Sequence, residues 1–135
     1  MNSWTRVFLL ATLLVGCHNP IAPWEEIDLS KAAKVEPSAQ YIAWWNELEA
    51  CSDLSGDVHA VAFYVVPNDL TIQVGSETYW GYWIKNGNKI VLAGTRAGSE
   101  KLVKHEEMHA LLQSALHQPA YFNGLCGDLT YANEG

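Results

Sequence analysis

Two histidines and two glutamates stand together in the segment His105-Glu106-Glu107-Met108-His109. On a helix, residues four apart project from one face about one turn apart, so both imidazoles can reach one ion. Imidazole nitrogens bind zinc at about 2.0–2.1 Å, and this spacing allows both to do so. Glu106 is rotated by about 100° from His105, which puts its carboxylate beside the ion. The segment therefore predicts a zinc site in which Glu106 takes a proton from a zinc-bound water. We expect Glu107 to face solvent or to support one of the ligands.

The two histidines lie within an apolar stripe of the predicted helix, which favours a metal site. One stripe at three- and four-residue spacing contains Leu102, His105, His109, Leu112 and Leu116. Polar groups on such a core-facing stripe cost free energy unless they find partners, and a metal ion is the partner that we expect. The alternatives are a surface helix with a chance cluster, or core histidines that are satisfied by hydrogen bonds.

A catalytic zinc usually has three protein ligands and one open position. We predict His117 as the third ligand, because it lies just past the expected helix end and before Pro119, which forces the chain to turn. Asp128 and Glu134 are the alternatives that the sequence leaves open.

The sequence predicts two helices with several strands between them, and these elements must position the histidines and Glu106. A helical period covers residues 38–50, and Ser99 is a good N-cap for a second helix that ends near Gln113 or Ala115. Strand-like runs cover residues 58–66, 71–74, 79–85 and 89–93, of which the first suits an interior strand and the last two flank an Asn-Gly hairpin turn. This order predicts an α+β fold.

The pattern His105-Glu106-x-x-His109 resembles that of the zincin metallopeptidases. The resemblance implies a minimal zincin-like domain, with residues 37–50 as a backing helix, a small mixed sheet with an edge hairpin, and the active-site helix. Residues 79–85 then correspond to the edge strand, along which an extended peptide would bind through main-chain hydrogen bonds. The segment 117–122, together with Cys126, also looks like small bacterial lipoproteins of zincin type.

The sequence departs from two zincin subgroups. Leu112 and Ala115 stand where metzincins have a glycine and a third histidine, and only Glu134 could serve as the downstream glutamate of gluzincins. Zincins often use a tyrosine or histidine as oxyanion donor, for which Tyr121 and Tyr131 are candidates, although packing is the commoner role of a tyrosine. The aromatic residues Tyr79, Trp80, Tyr82 and Trp83 form either a cleft rim or core and edge packing.

The N-terminus resembles a bacterial lipoprotein signal. Residues 7–15 are an apolar run too short to span a bilayer, and Leu14-Val15-Gly16-Cys17 resembles the lipobox in which the chain is cut before a lipidated cysteine. We predict a signal peptide over 1–16, lipidation at Cys17, a tether over 17–37, and the metallohydrolase domain over 38–135. An ordinary secretory signal or an uncleaved anchor is the alternative. Because His18 rather than an aspartate follows Cys17, we expect the outer membrane, facing the periplasm.

The two other cysteines, Cys51 and Cys126, form an even pair in an oxidising compartment. We predict a disulfide between them that closes a long loop. The alternative is two unpaired buried thiols. A zinc-binding role is disfavoured because neither cysteine has a Cys-x-x-Cys partner.

Charge and motifs together lead to one functional prediction. Cleavage after residue 16 removes Arg6 and changes the formal net charge from −7 to −8, which disfavours nucleic-acid binding. We predict a monomeric zinc-dependent hydrolase, a peptidase that acts on peptides or proteins of the cell envelope. The alternatives are a non-catalytic, zinc-stabilised binding lipoprotein and a structural lipoprotein without metal.

Overall fold

The computed structural model describes residues 27–67 and 71–130 of the chain. Within these ranges the elements are β1 (Ala33–Val35), α1 (Ala39–Ser52), β2 (Ala62–Val66), β3 (Ile72–Val74), β4 (Glu77–Tyr79), β5 (Gly81–Ile84), β6 (Lys89–Ala93) and α2 (Glu100–Leu112), with a π-helical turn at Ala120–Leu125. Helices and a small mixed sheet make this an α+β domain, as predicted. Cys17, Tyr131 and Glu134 lie outside the described residues.

The main sheet has the strand order β1-β2-β6-β5. Strands β2 and β6 are parallel, and the two outer pairings are antiparallel. The hairpin predicted between residues 85 and 89 joins β5 to β6, with Gly87 at φ 78° and Asn88 at φ 46°. Strand β5 is therefore an edge strand of this sheet, which is the position that the sequence suggested for it.

The two faces of the sheet are covered by different layers. Phe63, Trp83, Ile90 and Leu92 share one face and pack against both helices. Val91 and Ile84 on the other face pack against the separate β3–β4 hairpin. Strand β3 of this hairpin is the short strand predicted near residues 71–74. The sheet thus separates a helical layer, which carries the histidines, from a small β layer.

Both helices begin and end where the sequence indicated. Ser38 caps α1 by accepting a hydrogen bond from the Tyr41 amide, and Ser99 caps α2 in the same way through Leu102. Each helix is followed by a residue in the left-handed region, Asp53 after α1 and Gln113 after α2. No helix of the described segments is long and apolar enough to cross a membrane.

Two predicted boundaries were wrong. The tether was expected to extend to residue 37, but Ala33–Val35 pairs with β2 in the sheet, so this part belongs to the folded domain. The strand expected over 58–66 begins only at Ala62, because Val58–Ala60 forms a 3₁₀ turn that is capped by Asp57. A three-residue edge strand is specified by its partner across the sheet, which local sequence patterns do not reveal.

The predicted disulfide is present between Cys51 and Cys126, whose Cα atoms lie 5.2 Å apart. It links the end of α1 to the segment that follows the π-helical turn. Leu48, Met108, Phe122 and Leu129 form a buried cluster against this link. Residues 120–130 are therefore held against both helices, next to the histidines.

Candidate metal centre and catalytic cleft

Three imidazoles converge at the C-terminal end of α2. The Nε2 atoms of His105 and His109 are 3.1 Å apart, and the Nε2 atom of His117 lies 3.0 Å from that of His105 and 3.3 Å from that of His109. The first two project from one face of α2, and the chain turns after Gln113 to return His117 to them. The structure therefore brings together the three residues that the sequence singled out as metal ligands.

The opposite ring nitrogens of the two helical histidines have fixed partners. The Nδ1 of His105 donates to the carbonyl of Leu129, and the Nδ1 of His109 donates to the carbonyl of Ser114 over 2.8 Å. A carbonyl oxygen only accepts, so the proton of each neutral ring must lie on Nδ1. Both Nε2 atoms consequently carry lone pairs, directed at each other and at His117.

Burial keeps these rings neutral. Desolvation, assisted by the nearby imidazoles of His109 and His117, lowers the pKa of His105 to about 2. Desolvation lowers the pKa of His109 to about 4, although its bond to the Ser114 carbonyl acts in the opposite direction. Partial desolvation likewise lowers the pKa of His117, although this residue is exposed. At neutral pH all three rings present unprotonated nitrogens, the form that binds metals.

Aromatic rings fix the orientation of the imidazoles. The Phe122 ring touches all three, with centroid distances of 5.0 Å to His105, 4.7 Å to His109 and 5.0 Å to His117. On the other side, Trp83 of β5 stacks on His109 at 6.4 Å. Phe122 was not among the residues that the sequence indicated, because its contact depends on the π-helical turn that places it.

Glu106 lies in the same cleft as the histidines. Its side chain is 3% exposed and it accepts a hydrogen bond from the backbone amide of Trp83. Desolvation outweighs that bond and raises the pKa of Glu106 to about 8. A carboxyl group that gains and loses its proton near neutral pH is suited to general base and general acid catalysis.

A cavity of about 230 Å³ opens in front of these groups. Its lining consists of Tyr79, Gly81, Tyr82, Trp83, His105, Glu106, His109, Ala115 and His117. Tyr79 and the edge strand β5 form one wall of the cavity. Helix α2 and the loop that follows this helix form the other wall. Of the aromatic cluster, Tyr79, Tyr82 and Trp83 line the cavity, whereas Trp80 packs against the Arg96 guanidinium at 3.7 Å.

Other candidates from the sequence lie away from the cleft. The Asp128 side chain is 71% exposed and interacts with Thr130 and with Lys101 at 3.8 Å, so it does not join the histidines. Tyr121 packs against the cluster around Met108 and does not line the cavity, which makes it a poor oxyanion donor. Tyr82 lines the cavity, but its ring packs in the β3–β4 layer on the other face of the sheet.

Glu107 is the residue that sequence reasoning misplaced most clearly. Its place in the sequence between His105 and His109 predicted that Glu107 faces solvent or supports one of these ligands. The residue is instead 0% exposed. Among the described residues neither of its carboxylate oxygens has a hydrogen-bond partner. Desolvation raises the pKa of Glu107 to about 9, against the attraction of Lys104, so this carboxyl is protonated at neutral pH.

The donor set fits a zinc ion. The Nε2 lone pairs of His105 and His109 face each other with no proton of their own between them, so they repel one another unless a cation, or a proton on His117 Nε2, lies at the centre. Tetrahedral bonds of about 2.0–2.1 Å would separate the nitrogens by about 3.3 Å, close to the 3.0–3.3 Å seen here. The cavity in front leaves one side free of protein ligands, which is typical of catalytic rather than structural zinc sites.

We compared the chain with models of protein families, with characterised proteins and with solved structures, and found no match. The resemblance to zincins therefore depends on the residues of the site alone.

Proposed function

We propose that this protein is a zinc-dependent hydrolase that cleaves peptide bonds. One observation carries the proposal: the Nε2 atoms of three histidines converge within 3.3 Å of each other in a cleft that also contains Glu106. Histidine ligands with an open side, next to a buried carboxyl group, are the arrangement that metal-assisted hydrolysis requires.

Each residue of the cleft has a distinct role in this proposal. His105, His109 and His117 hold the ion. Zinc supplies Lewis acidity, which lowers the pKa of a water ligand towards 7, and its charge favours the ionised form of Glu106. A carboxylate oxygen of Glu106 accepts a proton from the attacking water and later returns it to the leaving amine.

The edge of the sheet offers a binding site for an extended peptide. The Ala93 amide donates to the Trp80 carbonyl, so Gly81 and Trp83 direct their backbone groups away from β6. The Trp83 amide donates to Glu106, which leaves the Gly81 amide and the carbonyl groups of Gly81 and Trp83 for pairing with a peptide. A peptide that pairs with this edge would cross the cleft in front of the histidines. A second cavity of about 300 Å³ continues the cleft along β5 and is lined by Tyr82, Trp83, Lys85, Gln113, Ser114 and Ala115.

The test is a comparison of wild-type protein with Glu106→Gln. We expect both to bind one zinc per chain, and the variant to lose at least about 100-fold in the rate of digestion of a peptide library. Glu100→Gln, at an exposed position of the same helix, is the control and should behave as wild type.

Two results would contradict the proposal. One is undiminished digestion by Glu106→Gln, which would assign the activity to a contaminant or another site. The other is a zinc-loaded wild-type protein that digests nothing, which would favour the non-catalytic binding lipoprotein.

A further inference from the structure

Gly81 stands where a side chain would collide with Glu106. A Cβ atom built on Gly81 would lie 2.9 Å from Oε1 and 3.0 Å from Cγ of Glu106, and 3.0 Å from a methyl group of Leu102. Separations at or below 3.0 Å are well inside van der Waals contact, so one of these atoms would have to move. The Glu106 side chain therefore occupies space that a side chain at position 81 would fill.

The same strand also holds Glu106 by a hydrogen bond. The amide of Trp83, two residues after Gly81, donates to the Glu106 carboxylate. The Trp83 amide points away from β6 at the outer edge of β5, whereas position 81 meets the carboxylate on the helical face of the same strand. The strand itself is fixed, because its other edge is bonded to β6.

We propose that Gly81 is a positioning residue for Glu106: its missing side chain and the Trp83 amide hold the carboxylate in place beside the three imidazoles. Leu102 is 1% exposed in the helical layer of the core, whereas the Glu106 side chain borders the cavity. A methyl group at position 81 would therefore displace the carboxylate into the cavity and leave the histidines where they are. The effect of this displacement on catalysis rests on the function proposed above. The displacement of the Glu106 carboxylate does not depend on that function.

The first test needs no activity. In the zinc-free full-length protein, hydrogen exchange of the Trp83 amide should be at least about 10-fold faster in Glu106→Ala and in Gly81→Ala than in wild type. The Tyr82 amide, which faces β6, is the internal reference and should be unchanged. Gly98→Ala is the matched control, since no atom lies within 4 Å of a Cβ built there. Unchanged Trp83 exchange in Gly81→Ala would overturn the proposal.

A double-mutant cycle keeps the test decisive if Gly81→Ala is poorly stable. The loss in thermal unfolding midpoint caused by Gly81→Ala should be smaller in a Glu106→Ala background, because the colliding carboxylate is gone. An equal loss in both backgrounds would assign the collision to Leu102 and overturn the proposal.

Activity then separates this inference from the proposed function. In zinc-loaded protein, Gly81→Ala should lower kcat at least about 10-fold, with KM and zinc affinity unchanged. If the wild type digests peptides and Gly81→Ala keeps its kcat, the positioning role is wrong and the function stands. If the wild type digests nothing while the Trp83 exchange follows expectation, the function is wrong and the positioning role stands.

Discussion

At the scale of single residues, His117 depends most on its surroundings. It is exposed, lies outside both helices, and meets the other two imidazoles only because the chain turns after Gln113. We expect His117→Ala to weaken zinc binding by at least about 100-fold, because it leaves two protein ligands in place of three. Competition with a chelator of known affinity measures this. Asp128→Ala is the comparison and should bind zinc as wild type does, and the reverse pattern would move the third ligand to Asp128.

Glu107 predicts a pH dependence of stability. Because burial raises its pKa from 4.5 to about 9, the folded state binds this proton more tightly than the unfolded state. Its contribution to stability is complete below pH 4.5 and is lost as the pH rises through 9. Glu107→Gln stays neutral, so between pH 6 and 8 the wild type should lose about 1–3 kcal/mol more in free energy of unfolding than the variant. Urea denaturation at each pH measures the difference, and parallel curves would contradict it.

At the scale of elements, residues 120–130 help to build the candidate metal centre. Leu129 supplies the carbonyl that orients His105, Phe122 touches all three imidazoles, and the disulfide at Cys126 fixes this segment to α1. Partners that orient metal ligands commonly contribute 10- to 100-fold to metal affinity. The segment should therefore couple the redox state of the disulfide to zinc binding.

The variant Cys51→Ser/Cys126→Ser tests this coupling. We expect about 10- to 100-fold weaker zinc binding, together with a loss of about 4 kcal/mol in stability, since the disulfide joins residues 75 apart. Replacing both cysteines avoids a free thiol that could itself bind zinc. Chelator competition below the unfolding midpoint measures the affinity, and wild-type affinity in a less stable variant would refute the coupling.

Features that depend on residues close together in the chain could be predicted from the sequence, whereas contacts between distant residues could not. The His105–His109 spacing, the Ser99 cap and the Asn86-Gly87-Asn88 turn are local, and all were predicted correctly. The pairing of β1 with β2 and the contact of Phe122 with the histidines depend on distant partners and were missed. Glu107 was misplaced because α2 is buried on nearly all sides, so that periodicity cannot tell which face is exposed.

At the scale of the whole molecule, the lipobox-like sequence at the N-terminus predicts an envelope location. We expect lipidation at Cys17, which lies outside the described residues, to anchor the protein. Cys17→Ser should prevent lipid attachment and change the membrane association of the protein. Fractionation of cells, with mass spectrometry of the mature N-terminus, measures both. A wild-type N-terminus without a diacylglyceryl group at Cys17 would contradict the expectation.

The function depends on whether a cation lies between three imidazoles. X-ray absorption spectroscopy of the purified protein, together with its zinc content, examines this directly. The predicted result is one zinc per chain with three imidazole nitrogens at about 2.0–2.1 Å and a non-protein fourth ligand. A protein that takes up no zinc, or a site closed by a fourth protein ligand, would contradict it.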